Sequence, residues 1–217
     1  MTSSAESTHR PTWRGRMHAT AFVVAIPAGI ALITVADRAA SRTAASIYAV
    51  SLLTMFGMSA AYHCLAKSPS SRRWMQRLDH AGIYVMITGT YVPMAIVAMP
   101  WAWGIPLLSV IGGAALIGVV IKLTGARRLQ LVGYLLYPAM GWAAVIAAPV
   151  LFDSLTGVQF SLVVAGGLVY TLGMPVLFLR RPDPWPSRFG YHEVWHAFVV
   201  VAAALHFGAV ASVIAGA

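Results

Sequence analysis

Residues 191–214 read YHEVWHAFVVVAAALHFGAVASVI, a stretch with one carboxylate and no Lys or Arg. A helix rises about 1.5 Å per residue and about 20 apolar residues cross the hydrocarbon core of a bilayer, so this run is long enough to span a membrane. Similar runs precede it at 17–36, 44–65, 78–99, 105–123, 129–151 and 158–179. Together they predict an all-α membrane protein, a seven-transmembrane-helix bundle. Residues 1–16 form a short polar cytoplasmic tail in this reading, and 17–217 form a single transmembrane domain without internal repeats. The least marked breaks are Pro100–Gly104 and Thr124–Arg128, and loss of either would put both termini on one side.

Composition agrees. Of 217 residues, 59% are hydrophobic and 10% charged, against roughly 25% charged in a soluble domain. Mean hydropathy is +0.75, which excludes a water-soluble globule. Pro27, Pro93, Pro138 and Pro175 fall inside the runs, where neighbouring helices re-satisfy the backbone groups that proline frees. The single Cys64 rules out an intramolecular disulfide framework. Sixteen mostly polar residues precede the first run and no small-x-small site follows it, so the first span is expected to be retained rather than cleaved.

Lys and Arg number 15 against six Asp and Glu. In a soluble protein that excess would raise nucleic acid as a partner; here few of these charges lie inside the runs, and none is expected to meet nucleic acid. Arg10, Arg14, Arg16, Lys67, Arg72, Arg73, Arg77, Lys122, Arg127, Arg128, Arg180, Arg181 and Arg188 fall on one side of the predicted topology, and only Arg38 and Arg42 on the other. Cytoplasmic loops carry the Lys/Arg excess. The expected orientation is N-terminus inside and C-terminus outside, in the inner (plasma) membrane.

Ionisable side chains inside hydrocarbon cost about 2.5–3.5 kcal/mol on insertion scales and each calls for a reason. The candidates are His63, Asp79, His80, His192, Glu193, His196 and His206. All but His206 fall at helix ends on the predicted cytoplasmic side, so the second, third and seventh spans bring them to one depth. His192 and His196 stack one turn apart on one helix face, a bidentate arrangement for a metal. Read literally, His192-Glu-Val-Trp-His196 also satisfies H-E-x-x-H, in which the Glu is general base of a metalloprotease. Capping of the helix at the interface is the alternative use of the two histidines.

Catalytic zinc takes three protein ligands and leaves a fourth position open. His63 is the best third candidate, since it lies near the same face, whereas His206 is about 15 Å deeper and suits an interhelical hydrogen bond. Cys64 points about 100° away from its neighbour His63, which favours a packing role, and His80 is disfavoured as a ligand beside Asp79 for the same reason. Asp79 can ligate the metal, hold its water, or pair with Arg77 or Arg73. Ser59 lies one turn before His63 on the same face, within reach of the metal water or a ligand.

The blocks Ser59-Ala-Ala-Tyr-His63, Arg77-Leu-Asp79-His80-Ala-Gly-Ile-Tyr84 with Gly89-Thr-Tyr-Val-Pro93, and His192-Glu-Val-Trp-His196 with Leu205-His206-Phe207 resemble the bacterial hemolysin III branch of the family that includes the adiponectin and progestin receptors. The resemblance covers essentially the whole membrane region. It implies a seven-helix bundle with a cytoplasmic N-terminus and zinc near the inner face. It makes His63, His192 and His196 the zinc ligands, Asp79 a partner of the zinc-bound water and Ser59 a nearby supporting group. It also implies a ceramidase-like lipid hydrolase or a role in membrane lipid balance, and it does not require Glu at position 193.

The resulting expectation is a zinc-dependent hydrolase of an amide or ester bond in a membrane lipid that enters laterally. The alternatives are a metal-stabilised receptor or sensor, a lytic membrane protein, and an intramembrane metalloprotease based on Glu193. Oligomeric state is not legible in the sequence.

Overall fold

The computed structural model describes residues 11–217; the first ten residues of the expected tail, with Arg10, lie outside the described residues. All regular elements of the described residues are helical: α1 (Arg16–Thr34), α2 (Ala39–Leu65), α3 (Pro69–Pro93) continued by a π-helical turn (Met94–Ala98), α4 (Trp101–Thr124), α5 (Gln130–Trp142), α6 (Ala148–Ser154), α7 (Gly157–Leu179) and α8 (Tyr191–Ala215). Among the described residues, six helices are long and apolar enough to cross a membrane. The predicted span 129–151 is a broken element instead: Arg127–Val145 and Ala148–Ser154 meet at a 53° bend, and form a seventh crossing only if counted as one. Pro149 sits in the first turn of α6, a position where its missing N–H forfeits no bond within that helix and which suits a fresh helix start.

Local chemistry sets the other boundaries. The Ser68 hydroxyl accepts from the Ser71 amide at 3.1 Å and Pro69 opens the helix, a pairing suited to an N-terminus. Helix α3 therefore begins nine residues before Leu78, where the apolar run starts, and Asp79 lies in its third turn rather than at its start. Pro100–Gly104 is no open turn either, because helix resumes at Trp101. The α4 chain stops at Gly125, whose φ of 70° is left-handed, the conformation that favours glycine at a helix end. Arg77 donates to the Leu123 carbonyl at 2.9 Å, satisfying one of the last unpaired acceptors of α4.

Helix α1 packs on α2, α2 on α3, α3 on α4, and α8 on both α7 and α1. Glycines bring α2 and α3 close. A Cβ on Gly82 would sit 3.3 Å from Met55 Cα, and one on Gly89 would collide with Ser51. Small residues at such contacts permit close helix approach in membranes. Outward faces carry Val23, Val24, Ile30, Val110, Leu116, Ile117, Leu168, Leu172 and Phe178, all exposed. An apolar belt of that kind has lipid as its natural solvent.

Candidate metal centre

The end of α2 and the start of α8 meet at one end of the bundle. His63 is in the last turn of α2; His192 and His196 occupy the first two turns of α8. One ligand atom from each of the three lies within 4.8 Å of the others. His63 Nε2 and His192 Nε2 are 3.3 Å apart. Two nitrogens each about 2.0–2.1 Å from a tetrahedral zinc would be separated by about 3.3 Å, so the spacing fits a shared ion. The rings are inclined rather than stacked, with interplanar angles of 72°, 61° and 57° among the three pairs. His63 and His196 are buried and His192 is half-buried. The three imidazoles thus form a donor set that can hold a metal ion.

Asp79 of α3 is half-buried, and its carboxyl interacts with the hydroxyl of Ser59 on α2. Ser59 is buried one turn before His63. The alternative of an ion pair at Asp79 is not realised: Arg77 lies over the Trp74 ring and donates to Leu123, and neither Arg77 nor Arg73 forms an ion pair with the carboxylate. His206 bonds across helices as expected, its Nε2 3.1 Å from the Val163 carbonyl of α7. His80 stays outside the cluster, with its ring against Tyr134 and its carbonyl accepting from the Tyr137 hydroxyl at 2.9 Å. Cys64 is exposed, its Sγ 4.0 Å from the Arg14 carbonyl.

Glu193 turns to other partners. Its Oε2 accepts the Gly190 amide at 2.9 Å, closing the first turn of α8, and its Oε1 receives Arg14 Nε in an ion pair. The carboxylate is fully buried with both oxygens engaged in these contacts.

Three residues at the site were not singled out in the sequence: Arg14, Gly15 and His18. The Thr12 and Trp13 amides donate to the Ser187 and Arg188 carbonyls at 3.3 and 3.1 Å, laying this segment along the α7–α8 connection. Gly15 has φ +81°, and a Cβ there would come within 2.5 Å of His63 Cβ. The His18 ring stacks on His196 with centroids 3.9 Å apart and planes 7° apart. The signal for His18 was available, since it is an ionisable residue in the first apolar run. Arg14 and Gly15 carried none, because their partners lie far away in sequence.

The sequence model of the family described as Haemolysin-III related matches residues 6–207. The chain belongs to the haemolysin-III-related family. It is 33% identical over 193 residues to Hemolysin-3 of Bacillus cereus, covering 88% of this chain and 85% of that protein. Hemolysin-3 homolog of Bacillus subtilis (strain 168) is 31% identical over 193 residues, covering 88% and 87%. Adiponectin receptor protein of Drosophila melanogaster is 24% identical over 175 residues, 73% of this chain and 39% of that protein. With its apolar helices, the family member described here is a multi-pass membrane protein carrying a histidine cluster suited to a metal.

Proposed function

We propose that this haemolysin-III-family protein is a zinc-dependent hydrolase of an amide or ester bond in a membrane lipid, acting at the cytoplasmic face of the inner membrane with its N-terminus inside. The observation that carries the reading is the convergence of His63, His192 and His196 within 4.8 Å at one end of an apolar bundle. In it, His63, His192 and His196 hold the ion. Zinc bound there supplies Lewis acidity and lowers the pKa of water toward about 7.

The chain's own groups account for the rest. The Asp79 carboxylate takes the proton of the attacking water and returns it to the leaving nitrogen or oxygen, as a positioned general base and acid does. The Ser59 hydroxyl, beside that carboxyl, holds it in register. Arg14 and the Gly190 amide fix Glu193, which anchors the first turn of α8 and hence the aim of His192 and His196. The depth of the cluster, at the ends of α2 and α8, suits the headgroup linkage of a lipid lying in one leaflet.

A second reading, a metal-stabilised receptor or sensor, is favoured by one feature: the three imidazoles come from two different helices, so an ion would cross-link α2 to α8 whether or not turnover follows. Zinc-loaded protein in detergent, incubated with lipid amides and esters with and without a chelator, separates the two. Hydrolysis lost on chelation and regained with zinc supports the hydrolase; metal without turnover of any lipid supports the receptor reading.

A further inference from the structure

His18 has an environment that packing alone does not explain. It is 4% exposed, stacked flat on His196 and edge-on to Phe56 with centroids 5.2 Å apart. Neither of its ring nitrogens makes a hydrogen bond of ordinary geometry, although the ring lies close enough to the His196 backbone to interact with it. Buried polar atoms are nearly always paired, because leaving one unpaired forfeits its hydration without return. A phenylalanine would make the same stacked and edge-on contacts without that cost. What imidazole adds at this position is a donor and an acceptor, directly against a ring that helps to form the metal centre.

We infer that His18 is a binding residue of that centre: one of its nitrogens hydrogen-bonds an oxygen-bearing group, a carbonyl or carboxylate, held at the three-histidine cluster. The inference rests on the metal-centre reading and deepens it by naming the polar atom of the substrate class that α1 contacts. The surrounding segment fixes the ring in place. Arg14, one turn earlier, is tied to Glu193 of α8, and Gly15 packs against His63, so the first turn of α1 is held to both helices that supply the cluster. His18 is thereby presented to a group at the metal from a helix that contributes none of the three ligands.

The test is acetohydroxamate binding to the cobalt-substituted full-length protein in detergent, followed by visible absorption, with cobalt content measured on the same samples. His18→Phe is expected to retain cobalt and the spectrum of the unliganded site while binding hydroxamate about tenfold or more weaker, the typical scale for losing a hydrogen bond to a charged group. His18→Asn and His18→Gln place an amide near Nδ1 and Nε2, and at least one should bind within about threefold of wild type. That pair also carries the test if the Phe variant does not fold. Wild-type affinity in His18→Phe overturns the inference, as does loss of cobalt from it, or tenfold weaker binding in both amide variants with cobalt retained. A wild type that takes up no cobalt or zinc removes the metal centre itself, a failure distinct from failure at His18.

Discussion

His63 Nε2 lies 3.3 Å from His192 Nε2 although 129 positions of chain separate the two residues. Such a contact between two buried or half-buried imidazoles requires the end of α2 and the start of α8 to meet at one depth, with both side chains aimed into the same space. Close packing of α2 on α3 through Gly82 and Gly89 sets Asp79 beside Ser59 on the same level. The site is therefore a product of helix ends and small residues rather than of any single motif.

The carboxylates of Asp79 and Glu193 should separate by role. Asp79→Asn is expected to keep its zinc and lose most turnover of a lipid amide, since general acid–base action contributes about 10² to 10⁴-fold. Glu193→Gln should keep both zinc and most activity and lose stability instead, because it weakens the contacts to Arg14 and Gly190, by about 1–3 kcal/mol. Zinc content, hydrolysis rate and thermal midpoint of both variants check this. A dead Glu193→Gln beside an active Asp79→Asn would reverse the assignment.

Gly15 is expected to tolerate no side chain. Its φ of +81° costs an alanine about 1–2 kcal/mol, and the added methyl would overlap His63. Gly15→Ala should lower thermal stability and weaken zinc retention against a chelator, while Arg16→Ala, at an exposed neighbour, should leave both unchanged. Zinc retention equal to wild type in Gly15→Ala would mean that the first turn of α1 does not bear on the site.

Topology follows from the distribution of positive charge and can be read with fusions. Reporters placed after Leu123 and Leu179 should report cytoplasm, and one after Ala217 the outside. This outcome requires the bent pair α5–α6 to complete one crossing. A cytoplasmic reporter at Ala217 would mean that the pair re-enters and leaves by the same face.

Most of the architecture was legible because the lipid solvent imposes one simple demand, long apolar runs, and the chain meets it at nearly every span. The bend between α5 and α6 was not, since a proline within an apolar run can be absorbed, as Pro27 is in α1, or can sit at a fresh helix start, as Pro149 does in α6. The true start of α3 was hidden for a similar reason: its first turns, with Arg72 and Arg73, are polar and exposed. His63, His192 and His196 stood out because charge-bearing groups are rare in such a chain. Arg14 did not, because an arginine in a polar tail looks like a solvated charge until Glu193, 179 positions later, is seen to be buried against it.

The most direct measurement is the zinc content of purified wild-type protein beside that of His63→Ala, His192→Ala, His196→Ala and His206→Ala. The account predicts about one zinc per wild-type chain, sharply less in the first three variants together with a lower thermal midpoint, and wild-type content in His206→Ala. Full zinc occupancy in His63→Ala, or none in the wild type, would contradict it.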